Sequence, residues 1–498
     1  MGPAVPGSRK QPIRLTAAIC LLSPALLLFI ALLRMRYPFD LSWLEGMVMR
    51  MSWRWAQGLP LYTEPSINHV ALPYFPLYYV VVGYLYRLTG EAYWVGRLVS
   101  LLSTLATGAL VYWIVRRETR NRLLSLAGVG MWCASYGFCG YYFDINRIDS
   151  LSMVFLLAAY AMALYRTGLW SAALAGVLLA AAGLTKQNLF VFVAPLSFAL
   201  AMRKDFRRAA ALVGALVLVA APTIWLWNRN SDGWFYRLTS DFVTFTVARS
   251  RLFSVPLRIL WRFPLPLLVM VFYVLGEIDR RRWRALIADP WLGFWLVALA
   301  VSWVFQLPVI GYKNANMPIA LATSICACLM FPAVLETKRK DYTWLRKPRR
   351  WLLPVAAAVA VFAGSTPGLR QIPRRADWQA AREVRRLVQS TPGIVFIPES
   401  LLPEPNVQPF HEMSYSDLRA GAFRPWINKS LQRIRSELAA LKPTLVLASM
   451  DLANNPLYGK YLTGLSCRPI DAKMKIHTFT GQIFHLSWIC TRTGSEKP

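Results

Sequence analysis

The chain has 498 residues, 56% of them hydrophobic and 16% charged, with a formal net charge of +31. No water-soluble fold buries that much apolar surface, so composition excludes an ordinary globular protein and points to a polytopic α-helical membrane protein. The positive charge does not imply nucleic acid, because the basic residues come in short clusters between apolar runs, as topology signals and anionic-lipid contacts do.

Residues 1–14 carry Arg9, Lys10 and Arg14 and read as a cytoplasmic N-terminus before the apolar run 15–33. That run exceeds a signal-peptide core and meets Arg34 and Arg36 with no small-residue cleavage site, which makes it a retained first span. A first outer loop follows at 34–92. In it Met47, Met51, Trp55 and Leu59 recur at helical spacing with Arg50, Arg54 and Gln57 between them, the pattern of a helix lying along the bilayer surface. Gly58 and Pro60 stop that helix, and the short apolar piece 72–85, broken by Pro73 and Pro76, reads as interfacial or re-entrant.

Further apolar runs occupy 93–115, 123–142, 151–165, 170–184, 189–202, 209–227, 263–275, 291–307, 317–335 and 351–363, giving about eleven spans in a transmembrane domain over 15–368. With a cytoplasmic N-terminus, the basic stretches 116–122, Arg166, 203–208, 280–284 and 338–350 all fall on one side, as the positive-inside rule requires. Acids, amides and isolated cations collect on the other side. From 369 to 498 the pattern changes to amphipathic helices at 377–389 and 429–441 and short strands at 393–397, 444–448 and 483–489, a small extracytoplasmic α/β domain.

Five cysteines, Cys20, Cys133, Cys139, Cys326 and Cys328, sit in or near apolar runs and read as packing residues. Cys467 and Cys490 lie in the polar tail and could pair if that tail is extracytoplasmic. The four histidines show no metal-ligand spacing, and only His69 lies near the loop acids.

Asp40 and Glu45 are the first candidates for chemistry, since a partly desolvated carboxylate at a membrane surface gains proton affinity and can act as a base. Two solvated acids capping a helix are the plainer alternative. Arg147 and Asp149 lie beside Asp144 at the end of a span, and Lys186 and Gln187 interrupt two apolar runs; ionisable groups at that depth must pair or hold a charged ligand. Arg97 could bind a lipid phosphate or neutralise an acid, while Lys313, Asn314 and Asn316 suit sugar hydroxyls or a phosphate and equally suit closing helix ends.

The ordered set Glu45-Gly46, Gly58-Leu59-Pro60-Leu61-Tyr62, Tyr74-Phe75-Pro76-Leu77, Arg97-Leu98, Arg147-Ile148-Asp149 and Leu184-Thr185-Lys186-Gln187 resembles the GT-C glycosyltransferases, in particular the protein O-mannosyltransferase and aminoarabinose transferase-like group. The resemblance spans roughly 15–335. One departure is that Leu44-Glu45 stands where the family has adjacent Asp-Glu, with Asp40 the nearest aspartate.

The resemblance implies sugar transfer from a polyprenyl-phosphate donor, at the outer face of the bacterial cytoplasmic membrane, to a glycan, lipid or protein acceptor. Asp40 or Glu45 would be the base. Lys186, Arg147 and Arg97 would hold the donor phosphate, and Asp149, Asp144, Tyr74, His69, Gln187, Lys313, Asn314 and Asn316 would line the substrate site. No metal ligand set is assigned, although the two loop acids could support a divalent ion through waters. A lipid-linked glycan translocase, or a glycan polymerase or ligase, would use a similar cavity.

Overall fold

The computed structural model describes residues 7–241, 247–308, 311–336, 368–420, 424–451, 460–481 and 483–492. Its first part is a helical bundle: α1 (Gly7–Arg34), α2 (Glu45–Ala56), α3 (Leu77–Thr89), α4 (Tyr93–Thr119), α5 (Arg122–Ala134), α6 (Ile148–Tyr165), α7 (Leu169–Thr185), α8 (Val193–Met202), α9 (Phe206–Arg229), α10 (Trp234–Tyr236), α11 (Arg251–Arg262), α12 (Pro264–Asp279), α13 (Trp283–Ile287), α14 (Pro290–Val304) and α15 (Met317–Glu336). Among the described residues four helices are long and apolar enough to cross a membrane alone, or five if the bent pair Arg251–Arg262 and Pro266–Asp279 counts as one span. Apart from the 28-residue α1, the other apolar helices run 10–17 residues, so the count of about eleven spans is not confirmed, and the expected span 351–363 lies outside the described residues. The helix expected over 123–142 also stops early, at Ala134, and the chain continues as successive turns that end at left-handed Gly140 and Tyr141.

Local chemistry fixes the reversals. Arg120 closes α4 in the left-handed conformation, and the Asn121 side chain then accepts from the N–H groups of Leu123 and Leu124 to start α5. Asp289 caps α14 in the same way ahead of Pro290. These reversals give the bundle two distinct ends. A 640 Å³ cavity at one end is lined by Glu118, Tyr165, Arg203, Ala285, Asp289 and Pro332, beside the basic clusters. The cavity at the other end gathers the opposite set of connections.

The C-terminal part contains α16 (Arg375–Ser390), α17 (Glu412–Ala420) and α18 (Pro425–Ala440). Its four-stranded sheet has the order β1-β2-β6-β3, from β1 (Val395–Phe396), β2 (Leu445–Ala448), β3 (Leu465–Pro469) and β6 (Trp488–Arg492), and a hairpin pairs β4 (Ile476–His477) with β5 (His485–Leu486). The β1-β2 pair is parallel and the rest antiparallel. Cys467 and Cys490 oppose each other across β3 and β6 and form a disulfide.

The opening loop is held between bundle and tail. Phe479 and Thr480 donate backbone hydrogen bonds to Leu41 O at 3.0 and 2.8 Å, Ile67 N donates to Glu437 Oε2 at 2.7 Å, and His411 Nε2 meets Trp43 O at 2.9 Å. This corrects the expected surface helix. In α2 not only Met47 and Met51 but also Glu45, Val48 and Met49 are buried, while Leu59 is 39% exposed. A stripe facing one side suffices at a bilayer surface, whereas a helix covered on two sides buries residues all round.

One contact sets the register of α4 against the connection before α6. A Cβ on Gly96 would lie 1.9 Å from Asn146 Oδ1, an atom that accepts from Tyr78 Oη at 2.9 Å, while the Asn146 N–H donates to Glu45 Oε1 at 2.8 Å. Gly96→Ala must therefore displace the buried Asn146 side chain and break its bond with Tyr78. It is expected to cost about 1–3 kcal/mol, read as an earlier thermal transition of the purified protein in detergent.

Candidate functional site

At the end away from the basic clusters a cavity of 570 Å³ opens between the bundle and the tail, within the size range of ligand sites. Breaks in the helices supply its polar groups. Arg147 is the extended residue before α6, Asp149 sits in the first turn of α6, and Lys186 is the extended residue after α7. At these positions the backbone leaves the helical path, so neighbouring side chains converge on one space.

Arg147 is 2% exposed, yet its Nε and Nη1 have no hydrogen-bond partner, and Nη2 donates only to Tyr74 Oη at 3.3 Å. Its guanidinium carbon lies 5.7 and 5.5 Å from the ring centres of Tyr74 and Tyr142. Asp149 Oδ1 accepts from Lys186 Nζ at 2.6 Å and Asn314 Nδ2 at 2.9 Å, and its Oδ2 is 3.7 Å from Arg147 Nε. Arg251 also lines the cavity, and its Nη1 donates to Gln306 O and Gly311 O at 3.1 Å. Three cations against one carboxylate leave the cluster positive. Buried donors without acceptors cost free energy that an anion would recover, and a guanidinium is shaped to take two phosphate oxygens at once.

A second cluster lies under the loop. Arg97 is fully buried: its Nε and Nη2 meet Glu45 Oε1 and Oε2 at 2.8 and 2.7 Å, Nη1 donates to Tyr37 O at 2.7 Å and Nη2 to Phe39 O at 2.8 Å. Glu45 also accepts from the N–H groups of Leu41 and Asn146, both at 2.8 Å. Although burial alone would raise it, Arg97 and these N–H groups together hold the Glu45 carboxyl below its usual range. Both oxygens of Glu45 are taken up by Arg97 and backbone N–H groups, and Arg97 is taken up by Glu45 and backbone carbonyls, so the expected base and phosphate roles do not fit these two residues. Nor does Glu45 have an oxygen to offer a metal. Among the described residues no three His, Cys, Asp or Glu side chains are grouped to hold one.

Asp40 differs from Glu45. Its Oδ2 accepts from Ser400 Oγ at 2.5 Å, its Oδ1 has no hydrogen-bond partner, and burial pushes its proton affinity up to about 8 against the opposing Ser400 bond. It lies against the tail and not in the cavity lining, although its near neighbours Ser42 and Trp43 are part of that lining.

No family model matches the sequence, and no curated protein matches it. Comparison with solved structures does find relatives in shape. ArnT from Cupriavidus metallidurans in the apo state superposes with a TM-score of 0.59 at 15% identity, over 96% of this chain and 98% of that one. The same protein bound to undecaprenyl phosphate gives 0.57 at 14% identity, over 96% and 99%. The chain has the ArnT fold. An ArnT-like fold is what the resemblance carried by the ordered sequence motifs implied.

Within this ArnT-like fold, Lys186, Arg147, Tyr74, Gln187, Asn314 and Asp149 come together, the last through its bonds to Lys186 and Asn314. Gln187 donates to Pro73 O at 2.7 Å and keeps its Oε1 unpaired. Other expected site residues lie elsewhere. Asp144 is buried with Arg34, whose Nε donates to its Oδ2 at 2.7 Å, and takes Tyr136 Oη on Oδ1 at 2.7 Å. His69 is packed with Nε2 on Leu61 O at 2.7 Å, and its proton affinity falls to about 3, chiefly by burial. Asn316 closes a helix end by donating to Phe138 O and accepting from Gln306, and Lys313 is exposed outside the lining. Sequence reasoning missed Arg251, Tyr142 and Tyr312. Arg251 did carry a signal, as a cation within the aromatic-rich connection 228–262 on the same side as the loop acids.

Proposed function

We propose that the protein is a membrane glycosyltransferase that takes a sugar from a polyprenyl-phosphate donor. The observation carrying this is Arg147, a buried guanidinium with two unpaired donors beside Lys186 in a positively charged cavity. ArnT, which shares the fold, is known in a form bound to undecaprenyl phosphate, and a lipid phosphate of that class suits this cluster. The acceptor hydroxyl attacks the anomeric carbon, its proton passes to a carboxylate, and the bond from that carbon to the phosphate oxygen breaks. Negative charge grows on the departing lipid phosphate, where Arg147 and Lys186 stabilise it. Asp149 holds Lys186 in place. The disulfide between Cys467 and Cys490 agrees with an extracytoplasmic tail, the side on which lipid-linked donors replace nucleotide sugars.

Asp40 is the carboxylate we assign as base, reaching the cavity beside Ser42 with Ser400 moved aside. It acts in its deprotonated form, so that transfer by the parent rises with pH toward about 8. Its high proton affinity gives a pH test. The folded chain keeps the Asp40 proton between pH 4 and about 8 while the unfolded chain releases it, so the stability Asp40 contributes falls as pH rises through that window. Asp40→Asn, which stays neutral, is expected to gain in melting temperature over the parent from pH 5 to pH 8 and to lose transfer throughout. A constant difference in melting temperature would show that Asp40 does not titrate in this way, and full transfer activity would remove it as the base. Purified protein incubated with lipid-linked sugar distinguishes transfer from translocation: a new glycosidic bond in the product, seen by mass spectrometry, supports the enzyme.

A further inference from the structure

A second cavity, of 610 Å³, lies between the tail and the opening loop, and it differs in chemistry from the first. Glu399 in its wall is 1% exposed. Its Oε1 accepts from the Ser449 N–H at 3.0 Å and hydroxyl at 2.6 Å, but its Oε2 is buried with no hydrogen-bond partner. A buried carboxylate oxygen left unpaired is costly and is satisfied by any ligand that brings a donor. Glu412 adds a second, half-buried carboxylate, and Phe484 and Trp43 add aromatic surface. Trp43 has an unpaired indole N–H of its own and lines both cavities, so the two spaces share one wall.

Lys475, His477 and His485 also line this cavity, but the atom left unsatisfied is a carboxylate oxygen, which calls for a hydrogen-bond donor and not for a phosphate. Carboxylate acceptors beside aromatic faces suit a pyranose, whose hydroxyls donate while its C–H face packs on the rings. Burial also keeps Glu399 close to neutrality, at about 7, where it can accept or donate, and this favours hydroxyls over a fixed cation.

We infer that this tail cavity binds a sugar unit through Glu399 Oε2, with Trp43 as the partition between it and the phosphate cavity. Calling that sugar the acceptor rests on the transfer reading above; its binding does not.

The test uses the full chain in nanodiscs and saturation-transfer NMR with methyl α-mannopyranoside, maltose and glucosamine, alongside undecaprenyl phosphate binding on the same preparation. At least one neutral sugar is expected to bind saturably, with roughly tenfold weaker affinity in Glu399→Gln, the loss of one charge-assisted hydrogen bond, and with phosphate binding unchanged. Should Glu399→Gln melt early, Glu412→Gln at the half-buried carboxylate replaces it with the same expected direction. No neutral sugar bound, equal binding in the folded variant, or binding of glucosamine alone would overturn the inference. Sugar binding without undecaprenyl phosphate binding would overturn the donor reading and leave this one standing.

Discussion

An Arg147→Met variant is expected to fold and to lose about 100-fold or more in sugar transfer, the scale on which removal of one preorganised electrostatic donor acts. The fold survives because Asp149 keeps Lys186 and Asn314 as partners at 2.6 and 2.9 Å, so no buried charge is stranded. Transfer fails because the two unpaired donors, Nε and Nη1, are lost together. Arg147→Lys is expected to recover little, since an ammonium cannot reproduce the two-pronged geometry. Lys186→Met gives a useful contrast. It strips Asp149 of its closest cation, so it should lower both melting temperature and activity. Transfer assays with circular dichroism melts in detergent separate the two patterns, and an Arg147→Met protein that melts early while keeping its per-molecule activity would make Arg147 structural.

Breaking the Arg97–Glu45 pair is expected to destabilise the protein by about 3–5 kcal/mol, the usual penalty for stranding one member of a fully buried ion pair. Arg97 does more than balance charge, because its hydrogen bonds to the carbonyls of Tyr37 and Phe39 tie down the loop leaving α1. Arg97→Met and Glu45→Gln should each lower the melting temperature sharply, and the double variant should cost less than their sum, since neither charge is then left alone. Glu45→Gln that melts normally but fails to transfer sugar would restore Glu45 as the base.

The bundle was legible because apolar runs of membrane length and one-sided basic clusters are written locally in the chain. Lys186 and Arg147 were legible for a related reason: an ionisable group between two apolar runs demands a partner. What could not be read was pairing at long range. Arg34 stood only as the polar end of the first span and proves to be the buried partner of Asp144, 110 positions away. Glu45 and Arg97 both looked exposed to substrate, and only the fold brings them face to face. Asp40 meets Ser400 across 360 positions, a contact that no spacing rule anticipates. Helix ends were less legible than the apolar runs, because hydropathy does not mark where a helix turns, as between Ala134 and Tyr141.

The most direct test is a cryo-electron microscopy map of the full chain in nanodiscs with undecaprenyl phosphate added. The expected result is phosphate density within about 3.5 Å of both the Arg147 guanidinium and Lys186 Nζ, in the cavity walled by Tyr74 and Tyr142. A phosphate held instead at the opposite end of the bundle, near Arg203, with the Arg147 cavity empty at saturating lipid, would contradict the account.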